Sequence, residues 1–222
     1  MRLPSFALIA GVVTVATILY LLISILTTSD PGLFFHEGHG VEELSLGLLP
    51  AGVALWVLLA GKYRWREWQI PAVLLLMTAR EMDFDKRFTD HGLLKLTTYT
   101  HPAPILTKVI GGLAILFTLW VIARLLRRNL PLWWARLKGG TMDAWMILGA
   151  ALCGVFAKTF DGLGRKLLDL GIHIPGSVDM LAGRSEEVLE AVCYYLIVLS
   201  IARLAVPAIR AAAGLPTAYG TR

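Results

Sequence analysis

Cysteine is nearly absent from this sequence: the chain has two, Cys153 and Cys193. Both lie inside apolar segments rather than in the loops that disulfides usually join, so we expect them to pack as small apolar side chains. The sequence also lacks a Walker A loop, a dinucleotide fingerprint and a G-x-S-x-G motif. These absences exclude a disulfide-stapled fold and leave no nucleotide-binding or serine-hydrolase motif to interpret.

Charged residues are scarce as well. They make up 17% of the 222 residues, against 56% apolar residues, and the mean hydropathy is +0.66. A soluble domain of this length does not need so many apolar residues, so the composition predicts an all-α integral membrane protein. The formal net charge of +5 would suit a nucleic acid, but the cations are spread over separate short loops, and we predict no nucleic-acid partner.

Six apolar segments are candidates for transmembrane helices, which need about 20 residues to cross a hydrocarbon core of about 30 Å. They lie at residues 5–26, 43–60, 69–83, 104–123, 143–160 and 187–205. The third is the shortest, and the first reads as a retained signal anchor because its apolar run exceeds that of a cleavable signal peptide. We predict one six-helix domain, residues 1–210, followed by a flexible cytoplasmic tail, residues 211–222.

The sorting of charges predicts the orientation. With the N-terminus inside, the inner loops are short and rich in Lys and Arg, as the positive-inside rule requires. All of the sixteen acidic residues except Glu67 and Asp143 then fall outside. The expected topology is three hairpins in a cell inner membrane, with both termini cytoplasmic. Short interfacial helices are expected in the outer loops, for example where Leu163, Leu167 and Leu170 recur at helical spacing.

Four charged residues lie within the predicted spans or at their outer ends: Arg80, Glu81, Lys158 and Glu190. Charges at membrane depth are costly and usually face the bundle interior, so each is a candidate for a functional site. Glu186 lies four residues before Glu190 and shares its helical face. The alternative is a set of ion pairs that join helices.

The acidic residues suggest general acid–base chemistry. We predict that the catalytic residues are Glu81, Asp83, Asp161 and Glu190. A carboxyl group beside apolar walls is suited to this role because burial favours its protonated form.

The histidines suggest a metal site. All five lie in the predicted outer loops, and the run FFHEGHGVEEL spaces His36, His39 and Glu43 three and four residues apart. Imidazole and carboxylate ligands suit zinc or a similar divalent metal. The predicted ligands are His36, His39, Glu43, His91 and Glu186. The alternative is that these loop histidines are simply solvated, and that Glu186 only favours a helix N-terminus.

Cations on the same predicted face suggest a substrate. Arg80, Lys108, Lys158 and Arg165 are the predicted substrate-binding residues, because arginine and lysine bind an anionic headgroup or phosphate. The alternative is that they only neutralise the surrounding acids.

Three functions fit these patterns. The first is a hydrolase or transferase that acts on a lipid or lipid-linked substrate at the periplasmic face, and that is metal-dependent if the predicted ligands hold a metal. The second is a non-catalytic membrane subunit or assembly factor that binds a partner through its outer loops. The third is a proton- or cation-coupled transporter, although carriers commonly bind near the midplane rather than at one face. The expected partners are membrane lipids, together with either further copies of this chain or another membrane protein.

Overall fold

The computed structural model describes residues 5–28, 33–35, 40–61, 63–84, 97–100 and 104–212. Within these ranges every regular element is helical, which confirms the all-α prediction. The elements are α1 (Phe6–Thr27), a 3-10 turn (Leu33–Phe35), α2 (Gly40–Leu59), α3 (Tyr63–Arg66), α4 (Gln69–Glu81), α5 (Thr97–Thr100), α6 (Ile105–Lys138), α7 (Met142–Phe160), α8 (Leu163–Leu168) and α9 (Gly176–Ala212).

Among the described residues, five helices are long and apolar enough to cross a membrane: α1, α2, α6, α7 and α9 as far as Ala205. They match five of the six predicted spans. Helix α4 matches the third, but its 13 residues extend only about 20 Å at 1.5 Å per residue. The helices therefore fit a multi-pass membrane protein in which one predicted span is short.

Helix α9 is the centre of the bundle and packs most extensively against α7 and α2, while α4 lies against α2 and α6. Small residues bring these helices close together. A Cβ atom added to Gly52 would lie 3.4 Å from both Leu74 and Val198, so α2, α4 and α9 meet there. Such close approach is typical of helix pairs in membranes. Both cysteines are free, as predicted.

Two helices extend beyond their predicted apolar runs. The sequence predicted a loop from residue 124, but α6 continues through Pro131 to Lys138. Likewise, α9 begins at Gly176 rather than at residue 187. Polar residues mark where a helix leaves an apolar environment, and a helix does not have to end there. The short helix predicted around Leu163 and Leu167 is present as α8.

Candidate functional site

Ionisable side chains from α4, α7 and α9 meet at the Glu81 end of α4. The Nζ atom of Lys158 lies 2.8 Å from a carboxylate oxygen of Glu190, 3.7 Å from Glu186 and 3.6 Å from Asp161. The Tyr194 hydroxyl donates a hydrogen bond of 2.7 Å to Glu81 Oε1. Glu187 lies within electrostatic range of Glu190, Glu186 and Glu81. We call this group the acidic cluster: Glu81, Lys158, Glu186, Glu187, Glu190 and Tyr194.

The cluster is partly buried and joins three helices, but it is unbalanced in charge. Glu190 and Tyr194 are both buried, with 9% and 6% of their surface exposed. Tyr194 ties the end of α4 to α9, and Lys158 ties α7 to α9. Lys158 forms ion pairs with Glu186, Glu190 and Asp161, and Arg80 and Lys166 act on Glu81 and Glu186 only at longer range. The acids of the cluster therefore outnumber the cations around it.

The register of α1 against α9 gives the depth of the cluster within the bundle. The Arg203 guanidinium lies 5.1 Å from the centre of the Phe6 ring, and the hydroxyls of Thr14 and Tyr195 are 2.6 Å apart. Both pairs fit the same antiparallel alignment of α1 and α9, in which Glu190 lies level with Leu19. At 1.5 Å per residue, Glu190 is thus about 12 Å short of the Thr27 end of α1. The cluster lies alongside the apolar part of α1, and α4 ends at this level.

An apolar groove leads to the cluster. It has a volume of about 430 Å³ and runs between α4 and α6. Its walls include Val73, Leu76 and Met77 from α4 and Ala114, Thr118 and Ile122 from α6. At one end it is lined by Arg80, Glu81, Lys158 and Tyr194. The groove therefore combines a long apolar wall with one ionisable end, which is the shape of a site for an amphiphile.

The structure brings together several of the predicted site residues: Glu81, Asp161, Glu186, Glu190 and Lys158. Arg80 and Asp83 lie beside them and form their own pair at 3.6 Å. Two predicted substrate-binding residues lie elsewhere. Lys108 donates to the backbone carbonyl of Tyr99 on α5, and Arg165 is exposed on α8.

Of the predicted metal ligands, only Glu43 and Glu186 lie within the described residues. His36, His39 and His91 lie outside those residues. Glu43 accepts a hydrogen bond of 2.7 Å from the Tyr20 hydroxyl, and Glu186 faces Lys158. Within the described ranges, no group of three or more His, Cys, Asp or Glu side chains is arranged to hold a metal ion. The predicted metal site, whose histidine ligands lie outside the described residues, stays a prediction.

A second polar network, which the sequence analysis did not predict, lies at the opposite end of α4. Gln69 is fully buried. Its amide nitrogen donates to Glu67 at 2.7 Å and to Asn129 at 2.9 Å, and its amide oxygen accepts from Arg124 at 3.0 Å. Arg128 lies 2.7 Å from Glu67. We call these five residues the Glu67 network. The sequence signal for this network was Gln69, a polar residue that directly follows Glu67 and Trp68 and begins an apolar helix.

Glu67 lies outside the apolar helices, and its surroundings favour the ionised form. Burial would raise the pKa of Glu67, but hydrogen bonds from Arg128 and Gln69 outweigh it and leave this pKa below its usual value. Nearby, Arg136 binds Asp143 at 2.6 Å, and only 1% of the Asp143 side chain is exposed. Both carboxylates at this end of the molecule thus have an arginine partner.

No family model, curated protein or solved structure matches this chain. The fold and the site define it as a protein of the all-α, multi-pass membrane class, with ionisable side chains gathered at the end of its shortest core helix. Its function has to be inferred from those side chains.

Proposed function

We propose that six helices cross a cell inner membrane, with α4 as a short sixth span and with the Glu67 network on the cytoplasmic side. The distribution of cations supports this orientation. The segments 61–68 and 124–143 lie at the Glu67 end and contain eight of the 21 Lys and Arg residues but only two of the 16 Asp and Glu residues, in keeping with the positive-inside rule. The acidic cluster then opens toward the outer side, at a depth of about 12 Å along α1.

Within this topology, the protein is a hydrolase or transferase that acts on a lipid or lipid-linked substrate. One observation carries the proposal: Glu81, Tyr194 and Lys158 line the ionisable end of an apolar groove, and Lys158 binds Glu190 at 2.8 Å. An acyl chain fits the wall between α4 and α6, which brings the polar linkage of the lipid to the carboxylates. Ionisable groups at membrane depth are costly to keep, so a functional role accounts for them best.

The two carboxylates have different surroundings, which supports different roles. Glu190 lies 2.8 Å from the Lys158 ammonium and acts as the general base. It accepts a proton from the attacking water or acceptor hydroxyl. Glu81 has one oxygen occupied by the Tyr194 hydroxyl, and its other oxygen carries the proton that passes to the leaving group. Arg80 at the same end of the groove binds the headgroup. Each step of this kind contributes about 10²- to 10⁴-fold to a rate.

Lipid turnover tests the proposal. The purified protein in detergent is incubated with the polar lipids of the expression host and with a defined mixture of phosphatidylethanolamine and phosphatidylglycerol, and products are followed by mass spectrometry. We expect one lipid class to be consumed by the wild type but not by Glu190→Gln or Glu81→Gln. Asp169→Asn, an exposed carboxylate at the end of α8, is the matched control and keeps the wild-type rate.

The same variants separate catalysis from the alternatives. If both glutamine variants lose their thermal unfolding transition, the cluster braces the bundle, as in a non-catalytic subunit. If they fold and turn over lipid at the wild-type rate, the assignment of acid and base is wrong. Folded variants without turnover are the result that supports the enzyme.

A further inference from the structure

The Glu67 end of the molecule carries far more positive than negative charge. Segments 61–68 and 124–143 contain two acidic residues, Glu67 and Asp143. Each is already bound by an arginine, at 2.7 Å and 2.6 Å. Arg64, Arg127 and Lys138 are exposed, and Arg66 reaches Glu67 only at 3.8 Å with 70% of its side chain exposed. This end therefore presents cations whose charge no carboxylate of these segments balances.

Tryptophans accompany these cations. Trp65 is 76% exposed and Trp134 is 52% exposed. The Arg64 guanidinium lies 5.7 Å from the centre of the Trp65 ring, and the Lys138 ammonium lies 5.3 Å from that of Trp134. Tryptophan and long cationic side chains together favour a membrane interface, where the ring sits among headgroups and the cation reaches phosphate.

Contacts between α3 and α6 gather part of this charge at one place. Arg124 donates to the backbone carbonyl of Arg66 at 3.2 Å, which fixes the end of α3 beside α6. Arg127 follows Arg124 by three residues and Trp120 by seven, so all three lie on one face of α6. Exposed cations from both helices thus border the same junction.

An apolar surface continues from this junction along α6. The Trp68 ring lies 4.7 Å from the Trp120 ring and 6.4 Å from the Phe117 ring. Trp120 is 57% exposed and Phe117 is 43% exposed. A ligand that covers the junction therefore meets cations at one end and aromatic rings along its length.

We infer that the junction of α3 and α6 binds an anionic phospholipid. Its phosphate lies against Arg66 and Arg127, and one acyl chain lies along Trp120 and Phe117. The cations select a negative headgroup, and the aromatic stripe selects a lipid over a soluble phosphate. This site is separate from the groove at the acidic cluster, so it does not depend on the proposed catalysis.

Binding of phosphatidylglycerol to the full-length protein in detergent micelles tests the inference, with bound lipid counted by native mass spectrometry. Phosphatidylcholine with the same acyl chains is the reference lipid. One cation near a lipid surface is worth about fivefold in affinity, so Arg66→Gln/Arg127→Gln is expected to weaken phosphatidylglycerol binding by about 25-fold. The matched control, Lys166→Gln/Arg184→Gln, removes two cations near the other end of the bundle and keeps wild-type binding.

Two further measurements distinguish the sources of a phosphate ligand. Glycerol 1-phosphate, which has the charge without the acyl chains, is expected not to displace phosphatidylglycerol. Trp120→Ala keeps every cation of the junction and is nevertheless expected to weaken phosphatidylglycerol binding. Equal binding of phosphatidylglycerol and phosphatidylcholine would overturn the inference. Displacement by glycerol 1-phosphate at similar concentrations would assign the junction to a soluble phosphate instead. Because Arg66 and Arg127 are exposed, the double variant is expected to fold, and an unchanged melting temperature verifies this.

Discussion

Helix α4 has a polar network at each end, and the two differ in how charge is matched. At the Glu67 end, Glu67 and Asp143 each bind an arginine at 2.7 Å or less, and the buried Gln69 amide has a partner for both of its polar atoms. At the Glu81 end, Lys158 is shared by Glu186, Glu190 and Asp161. At the first end each carboxylate has its own arginine, whereas the second end has more acid than base.

This difference suggests that one end of α4 stabilises the fold and the other end serves the function. A satisfied network fixes the positions of helices, since breaking any pair would leave a costly charge without a partner. An excess of carboxylates does not stabilise a fold, because like charges repel and buried charges are expensive. Retaining such an excess beside a groove therefore favours a role in proton transfer or ligand binding over a role in stability.

The largest expected effect is on activity at the Glu81 end. Glu190→Gln removes the proposed general base and is expected to lower lipid turnover by about 10²- to 10⁴-fold. The melting temperature is expected to change little, because Lys158 keeps Glu186 and Asp161 as partners. The rate of product formation and the thermal unfolding curve are measured on the same preparation. A variant that melts far below the wild type would show that this end is as structural as the Glu67 end, and the contrast between the two ends would disappear.

The next largest effect is on stability at the Glu67 end. Asp143→Asn removes the carboxylate that Arg136 binds at 2.6 Å. Breaking a buried pair in this way is expected to destabilise the protein by about 3–5 kcal/mol. Unfolding in mixed micelles by titration with SDS measures the loss, and Asp169→Asn is the exposed control. Wild-type stability in Asp143→Asn would mean that the pair at 2.6 Å does not hold α6 and α7 together.

The sequence predicted most of the acidic cluster but not the Glu67 network, for a physical reason. Glu81, Lys158 and Glu190 stood out because a charge near an apolar run is costly, and the four-residue spacing put Glu186 on the face of Glu190. Gln69 carries no charge, and its importance comes from partners about 60 residues away, which spacing cannot give. The hydrogen bond from Tyr194 to Glu81 joins two helices, and spacing along the sequence does not predict it either.

The ends of the helices were also harder to predict from the sequence than their positions. Apolar runs located five helices, but they did not predict that α6 reaches Lys138 or that α9 starts at Gly176. These extensions are polar at their ends, where contacts such as Trp133 with the Ala144 carbonyl support the helix. Hydropathy predicts where a membrane could lie, whereas side-chain contacts determine where a helix ends.

A smaller effect is expected at the hydrogen bond that joins α4 to α9. Tyr194→Phe removes the donor to Glu81 and keeps the ring. The expected loss of stability is about 1 kcal/mol, and turnover is expected to fall about tenfold because Glu81 loses its orientation. SDS titration and the lipid assay measure the two effects. An unchanged rate would argue that Glu81 is not oriented by Tyr194, while the assignment of Glu190 would stand.

The smallest expected effect is the pH dependence that Glu67 contributes. Although burial opposes ionisation, the bonds from Arg128 and Gln69 hold the pKa of Glu67 below its ordinary value of 4.5. A carboxyl group with a lowered pKa in the folded state contributes stability above the pKa of the unfolded chain. That contribution is lost as the pH falls below about 4.5 and through the folded-state pKa. Melting temperatures of the wild type and Glu67→Gln between pH 7 and pH 3.5 measure it.

The comparison with Glu67→Gln isolates this carboxyl group from the glutamates at the other end of α4. Those groups also titrate on acidification, but they are present in both proteins and cancel in the difference. The wild type is expected to be more stable than Glu67→Gln at pH 7, and the gap is expected to narrow only at acidic pH. A gap that is constant down to pH 3.5 would mean that Glu67 acts through packing and neutral hydrogen bonds. The Glu67 end would then owe its stability to the Gln69 amide more than to matched charge.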